Sequence, residues 1–212
     1  MKVTLRELTG ELIRVVPMDK SHIQGLYEAA NDENIWAHLP KTIRTLHDME
    51  AFVEEALQAK DSGAECPFVI IQRETGKIVG TTRFLYMSSA ARSLEIGWTW
   101  FHPSVWGTSV NTECKYLLLQ YCFEQLNTIR VQFKTDERNI RSQKAIERLG
   151  AVKEGILRNQ MIRKDGTFRN SVFYSIIDSE WPSVKQHLEQ RLQLTEKTND
   201  CEKHLPRGQM FF

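Results

Sequence analysis

The chain of 212 residues is long enough for one large α/β domain, and its 41% hydrophobic content is sufficient for a packed core. Its 28 basic and 27 acidic residues leave a net charge of +1 at pH 7, which excludes partners bound mainly through bulk charge, such as nucleic acid or an anionic membrane. No window approaches the ~18 uninterrupted apolar residues of a membrane span, and the first ten residues lack the apolar core of a signal peptide, so we expect a cytoplasmic protein.

The first third of the chain predicts one strand followed by two helices. Residues 11–17 form the strand, which ends at a proline. Asp19 or Ser21 then caps a helix, because short polar side chains satisfy the free amides of a first turn. Residues 46–59 carry apolar side chains at helical spacing, so they predict a second, amphipathic helix.

Three strands follow. Residues 67–73 and 77–86 are rich in apolar and β-branched residues and flank Glu74-Thr75-Gly76, which predicts an antiparallel hairpin. Residues 93–101 alternate less cleanly, as expected for a central strand that is covered on both faces.

A turn of small residues leads from this strand into a helix predicted over residues 110–126. Such a turn leaves backbone N–H groups unpaired at the positive end of the helix dipole. The segment therefore predicts a phosphate-binding loop.

The second half continues with a strand over 130–135, a helix over 140–149 and two strands over 152–163 and 168–177 around the turn Asp165-Gly166. The element order is βααβββαβαββ. We assign residues 1–190 to one domain and residues 191–212 to a polar, mobile tail. The alternative for the tail is that Met210-Phe211-Phe212 docks on a neighbouring subunit.

The turn and several later segments resemble the GNAT N-acetyltransferases, in the branch that includes the ribosomal-protein N-terminal acetyltransferases. The similarity spans about residues 8–185 and is strongest over 94–181. The segments that carry it are Trp106-Gly107-Thr108-Ser109-Val110-Asn111-Thr112-Glu113, Asn139-Ile140-Arg141-Ser142, Leu149-Gly150-Ala151, Glu154-Gly155-Ile156-Leu157-Arg158 and Tyr174-Ser175-Ile176-Ile177 with Glu180-Trp181.

The resemblance implies a mixed, splayed central sheet flanked by helices, with acetyl-CoA as co-substrate and no metal. Two residues of the loop depart from the family pattern: Ser104 stands where the superfamily has Arg or Gln, and Ser109 stands at the second small position. By the resemblance, the residues that bind acetyl-CoA are Trp100, Phe101, Val105, Trp106, Gly107, Thr108, Ser109, Val110, Asn111, Thr112, Asn139 and Ser142. The side chains of Trp100 and Phe101 are more readily interpreted as core residues than as ligand contacts. Asn139 also suits a helix cap, a role compatible with binding the cofactor.

Transfer of an acetyl group to an amine needs a neutral amine, a stabilised oxyanion and a proton for the departing thiolate, but no protein nucleophile. Ile146 occupies the place of the usual tyrosine acid, which excludes a tyrosine there. Ser142 is the candidate acid, since the ribosomal-protein branch uses a serine at this position. Its alternative role is structural, in the first turns of the helix.

The candidate bases are Glu95, on the central strand, and Glu154. Strand alternation places Glu95 on the same side as Gly97 and Thr99. The alternatives are a salt-bridged strand carboxylate for Glu95 and a role in a strand bend for Glu154. Met161 falls near the position of the base in the ribosomal-protein enzymes, and a thioether cannot titrate.

The acceptor groove of the family is built from the segment containing Trp36, His38 and His47, although surface histidines and a core tryptophan are the alternatives. His102, before a proline, is expected to close its strand. Four cysteines, Cys66, Cys114, Cys122 and Cys201, show neither a CxxC pair nor histidines at ligand spacing, which favours reduced thiols.

The sequence therefore predicts direct acetyl transfer from acetyl-CoA to a primary amine, either a protein N-terminus or a small amino-acid-like metabolite. A non-catalytic CoA-binding sensor or interaction module is the alternative of another class. The sequence is compatible with either a monomer or a homodimer.

Overall fold

An eight-stranded sheet forms the centre of the computed structural model, which describes residues 3–163 and 165–193. Its strands lie in the order β1-β2-β3-β4-β5-β6-β8-β7, and β5–β6 is the parallel pair among the described strands. The strands are β1 (Leu8–Thr9), β2 (Ile13–Pro17), β3 (Cys66–Gln72), β4 (Ile78–Ser88), β5 (Ser93–Phe101), β6 (Arg130–Asp136), β7 (Val152–Ile162) and β8 (Phe168–Ile177).

Helices cover both faces of the sheet. They are α1 (Ile23–Ala29), α2 (Glu33–Trp36), α3 (Leu46–Asp61), α4 (Val110–Gln120), α5 (Ile140–Glu147) and α6 (Trp181–Leu192). Short polar side chains cap α2, α3 and α5. At α3, Thr45 accepts from the amide of Asp48, whose carboxylate accepts from the amide of Thr45 in return. Asp19 caps the 3₁₀ turn that precedes α1.

Two hydrophobic clusters lie on opposite faces of the sheet. The first packs α4 and α6 against strand residues such as Ile96, Phe133 and Tyr174. The second packs α1, α2 and α3 against Val69 and Trp100. The face on which a strand residue lies therefore decides which set of helices it contacts.

The predicted order and fold class are confirmed. The structure adds the two-residue strand β1 and the one-turn helix α2, both too short for a periodic pattern to reveal. The helix predicted over 110–126 is α-helical to Gln120 and continues as a π-helical turn over Tyr121–Gln125. Helix α6 extends two residues past the predicted domain end, and the rest of the predicted tail, from residue 194 on, lies outside the described residues. No helix in the described part of the chain is both long and apolar enough to span a membrane.

Strands β5 and β6 pair only at their beginnings. The register runs from Ser93 opposite Arg130 to Glu95 opposite Gln132, and no pair follows among the described residues. Beyond Glu95 the two strands diverge, which opens a gap in the middle of the sheet.

Strand β5 contains a β-bulge at the edge of this gap. Thr81 of β4 pairs with Trp100 and Arg83 pairs with Gly97, so two residues of β5, Trp98 and Thr99, lie opposite one residue of β4. Trp98 has a φ of 50°. The extra residue turns Thr99 towards α4, where its hydroxyl accepts from Lys115. The expectation that Thr99 shares a side with Glu95 and Gly97 is therefore wrong, because alternation is interrupted between them.

Candidate functional site

A cleft of about 490 Å³ fills the gap between β5 and β6. Its walls come from the second half of β5, the loop before α4, the first turns of α5 and the ends of β6 and β8. It holds most of the residues predicted to bind acetyl-CoA: Trp100, Phe101, Val105, Trp106, Gly107, Thr108, Asn111, Thr112, Asn139 and Ser142. Ser109 and Val110 do not line it, and Val110 is buried in the first cluster.

The loop before α4 has the geometry of an anion-binding turn. Gly107 has a φ of 75°, which glycine adopts without strain, and the hydroxyl of Thr108 donates to the carbonyl of Val105 at 2.7 Å. The amides of Gly107, Ser109, Asn111 and Thr112 donate to no acceptor within the described part of the chain. These free N–H groups at a helix N-terminus suit a phosphate group.

Ser104, which stands where the family pattern has Arg or Gln, does not line the cleft. Its hydroxyl lies 2.7 Å from Nδ1 of His102, which also accepts from the amide of Ser104. A cation reaches the loop from another element instead: the guanidinium of Arg141, on α5, lies 3.9 Å from the centre of the Trp106 ring. The sequence did not predict that Arg141 lies beside the loop, because the two segments are separated in the chain.

Helix α5 presents Ser142 to the cleft. Asn139 caps the helix, with its Oδ1 accepting from the amide of Ser142 at 3.0 Å, as the sequence predicted. The hydroxyl of Ser142 makes no hydrogen bond with the residues that the structure describes, so it is available to a ligand. Ile146 also lines the cleft, one turn further along.

Glu95 lies where β5 and β6 separate. It is 3% exposed, and its Oε2 accepts from Gln132 at 2.8 Å while Lys134 Nζ lies 3.7 Å from Oε1. The carboxylate is therefore held in one place at the end of the cleft, with its charge partly balanced.

Glu154, the alternative base, lies outside the cleft. Arg130 binds it through both guanidinium Nη atoms and Ser175 donates to it at 2.8 Å; the Arg130 hydrogen bond lowers the pKa of Glu154. Arg130 also donates to Gln132, which donates to Glu95. Glu154 is therefore connected to Glu95 through the hydrogen bonds of Arg130 and Gln132, but it does not line the cleft with Glu95 and Ser142.

Lys115, on α4, is a buried cation that the sequence analysis did not single out. Its Nζ donates to Thr99 Oγ1 at 2.6 Å, and no carboxylate pairs with it within the described ranges. Burial lowers the pKa of Lys115 to about 8. It is one of six cations lining the cleft, together with Lys134, Arg141, Arg148, Arg169 and Arg191, against two carboxylates, Glu95 and Asp136.

The segment expected to form the acceptor groove contributes only in part. His38 lines the cleft, and burial lowers its pKa, so it is neutral at pH 7. His47 is exposed, and Trp36 is a core residue whose ring lies 5.5 Å from that of Trp100. Met161 lines the cleft and pairs in register with Arg169 of β8.

Arg169 and Lys134 were also missed. In the sequence each is an isolated cation in a strand, where a solvent-facing position is the usual outcome. The low exposure of these side chains, 11% for Arg169 and 14% for Lys134, follows from the register of β6 and β8, which no local sequence pattern indicates. The described residues contain no cluster of His, Cys, Asp and Glu that would hold a metal ion, and Cys66, Cys114 and Cys122 are free and buried.

Comparisons with known proteins agree with this geometry. The family model described as an acetyltransferase (GNAT) domain matches residues 13–152. "Uncharacterized N-acetyltransferase YnaD" of Bacillus subtilis (strain 168) is 28% identical over 158 residues, which cover 74% of this chain and 89% of that protein. "Putative ribosomal N-acetyltransferase YdaF" of the same organism is 28% identical over 110 residues, covering 52% of this chain and 59% of that protein.

A similar solved structure is that of a GCN5-related N-acetyltransferase from Brucella melitensis. It superposes with a TM-score of 0.84 at 28% identity, and the match covers 90% of this chain and 86% of that one.

Proposed function

The chain belongs to the acetyltransferase (GNAT) family, and we propose that this N-acetyltransferase acts on the N-terminal amine of a protein or peptide. The family transfers an acetyl group from acetyl-CoA to an amine. The main observation behind the assigned residue roles is that one cleft is lined by the loop with free amides before α4, by Ser142 and by Glu95. The name of the YdaF relative supports a peptide acceptor.

In this proposal the phosphates of acetyl-CoA bind the amides from Val105 to Thr112 and the guanidinium of Arg141. The free N–H groups and the surplus of cations along the cleft fit a ligand that carries several negative charges. The pantetheine arm lies between the diverging strands. The bulge at Trp98 leaves backbone groups of β5 without partners beside the thioester.

Glu95 acts as the base, through a water molecule, on the ammonium group of the acceptor. The neutral amine attacks the thioester carbonyl, a C–N bond forms and the C–S bond breaks. The nitrogen loses its second proton to solvent as the C–S bond breaks. Ser142 gives its proton to the departing thiolate and regains one from solvent. Direct transfer of this kind needs no acyl-enzyme intermediate, in agreement with the burial of the three described cysteines.

The proposal is tested by thiol release from acetyl-CoA with N-terminal peptides and small amines as acceptors. We expect a higher kcat/KM for peptides than for small amines of equal basicity. Preference for small amines would reassign the acceptor to a metabolite. Cofactor binding without thiol release for any acceptor would instead indicate a sensor or interaction module.

Ser142→Ala tests the acid. We expect single-turnover transfer to slow by roughly 10²- to 10⁴-fold with little change in the affinity for acetyl-CoA, because the proton is needed mainly in the transition state. Ser104→Ala is the matched control, since this hydroxyl is bound to His102 and does not line the cleft. Equal rates for Ser142→Ala and wild type would leave Ser142 with only a structural role.

A further inference from the structure

Arg169 is a buried cation without a hydrogen-bond partner. It is 9% exposed, it lines the cleft, and none of its guanidinium N–H groups donates to an acceptor in the described part of the chain. Its Nε in particular is buried and unpaired. A buried guanidinium N–H without an acceptor is costly unless something else binds it.

The nearest carboxylate does not satisfy Arg169. Asp136 Oδ2 lies 3.9 Å from Arg169 Nε, which is beyond hydrogen-bond length. Asp136 is already bound by Arg163 through two hydrogen bonds of 2.8 and 2.9 Å, and by the amide of Arg138 at 2.9 Å. Asp136 therefore orients its neighbours and leaves the donors of Arg169 free.

Strand alternation puts Arg169 on the face of the sheet opposite α4, which is also the face of Glu95, since Leu94 and Ile96 belong to the cluster under α4. Val172 and Tyr174 of β8 belong to the cluster under α4, so the odd-numbered residues of this strand face the opposite way. The same argument places Lys134 of β6 opposite Val131 and Phe133. The loop that suits the phosphates precedes α4, on the other face, so Arg169 does not serve the cofactor phosphates.

The groups facing Arg169 set the charge that it can attract. Asp136 and Glu95 are the anions close enough to interact with it electrostatically, and Arg163 is the neighbouring cation. His38 is neutral at pH 7 and adds no charge. Trp100 Nε1 is a second buried donor without an acceptor among the cleft-lining residues, and Trp100 packs in the cluster on the same side. This side of the cleft therefore offers unused donors for oxygen atoms.

We propose that the acceptor carries a carboxylate close to its reactive amine and that Arg169 binds this carboxylate. The inference rests on the proposed transfer to an amine and adds the chemistry of the acceptor. The amine lies at Glu95, and the carboxylate takes the paired N–H groups of Arg169, whose planar fork matches a carboxylate. Free α-amino acids and peptides with an acidic first residue both have this chemistry.

The test compares kcat/KM for two pairs of acceptors in which one member lacks the carboxylate. Each value is expressed per neutral amine, because removing the carboxylate also lowers the pKa of the amine. One pair is alanine and alaninamide; the other is a tripeptide beginning with aspartate and the same tripeptide beginning with asparagine. We expect at least a tenfold preference for the carboxylate member of one pair in the wild-type enzyme. The pair that shows it identifies the source, free amino acid or peptide.

The variants Arg169→Ala and Arg169→Lys test whether Arg169 is responsible for the preference for acceptors with a carboxylate. We expect the ratio of the two kcat/KM values to fall close to one in Arg169→Ala and to recover partly in Arg169→Lys, mainly through KM. Arg158→Ala, an exposed cation outside the cleft, is the control and retains the wild-type ratio.

Equal kcat/KM for both members of both pairs in the wild type overturns the inference, even if the variants do not fold, and so does a preference that survives Arg169→Ala. Both results leave transfer to amines intact. Absence of thiol release with every amine is a different result, which overturns the proposed function and this inference with it.

Discussion

For Glu95, the pH dependence of the transfer rate distinguishes a catalytic role from a structural one. The N-terminal amine of a peptide has a pKa of about 8, so only about one molecule in ten is neutral at pH 7. We expect Glu95→Gln to slow transfer at pH 7 and the loss to shrink as the pH rises towards the pKa of the amine, because the acceptor then needs no base. The measurement is the pH dependence of kcat/KM.

Glu154→Gln is the matched control, since it alters a carboxylate of the same polar chain that lies outside the cleft. We expect it to leave the pH profile unchanged. A loss in Glu95→Gln that is constant at all pH values would show that Glu95 positions Gln132 and Lys134 and does not accept the proton.

Lys115 should make the stability of the protein depend on pH. Burial lowers its pKa from about 10.5 to about 8, so between these values the unfolded chain binds a proton that the folded chain has released. Stability therefore rises with pH over this window, and below pH 8 the buried charge costs roughly 3 kcal/mol. We expect Lys115→Met to unfold at higher urea than wild type at pH 7, with the difference closing towards pH 10.

Lys144→Met, at an exposed position of α5, is the control and should show no such trend. A Lys115→Met variant that is less stable than wild type at pH 7 would mean that the hydrogen bond to Thr99 outweighs the cost of burial.

At the scale of single residues, the sequence predicted side chains with distinctive neighbours and missed those whose surroundings are built by distant segments. Asn139 is recognisable because a cap lies within one turn of its helix. Arg169 and Lys115 owe their burial to strands far away in the chain. From residue type alone, arginine and lysine are expected to be exposed to solvent.

At the scale of elements, periodicity predicted the order of the longer strands and helices along the chain. It did not predict which face a side chain of β5 occupies beyond the bulge. The residue with the left-handed backbone in β5 is Trp98, not a glycine, so nothing in the sequence marked the interruption. The register shifts between Leu157 and Met161 of β7 are equally unmarked. Alternation is reliable only up to the first bulge.

The loop before α4 supplies a prediction at this scale. Gly107→Val places a β-branched residue at a φ of 75°, which it adopts only with strain, so the loop should shift and its amides should lose their positions. We expect the dissociation constant for acetyl-CoA to rise at least tenfold, about 1.4 kcal/mol, by calorimetry.

Gly63→Val is the matched control for that experiment. Gly63 has a φ of 74°, and, as at Gly107, an added Cβ meets no atom within 4 Å. It lies just after α3, away from the cleft. The two variants should lose similar stability, but only Gly107→Val should lose affinity; equal affinities in the two would remove the loop from the binding site.

At the scale of the whole molecule, the net charge of the sequence does not show where the charged side chains lie. The chain carries only +1, which argues against partners recognised by bulk charge, yet the cleft has six cations and two carboxylates among its lining residues. A cleft with walls of low dielectric concentrates such a field. The sequence did not reveal this, because the cations come from α4, β6, α5, β8 and α6.

This distribution predicts that acetyl-CoA binding depends on salt. The Debye length falls from about 10 Å at 0.1 M to about 3 Å at 1 M ionic strength, so distant cations of the cleft lose their effect on the phosphates while free amides in contact with them do not. We expect the dissociation constant to rise several-fold between 0.05 and 0.5 M NaCl. Arg141→Gln should flatten this dependence, since Arg141 lies beside the loop through Trp106, whereas Arg158→Gln should not. A dissociation constant that is independent of salt in the wild type would assign phosphate binding to the amides of the loop alone and would leave the cations of the cleft to the acceptor.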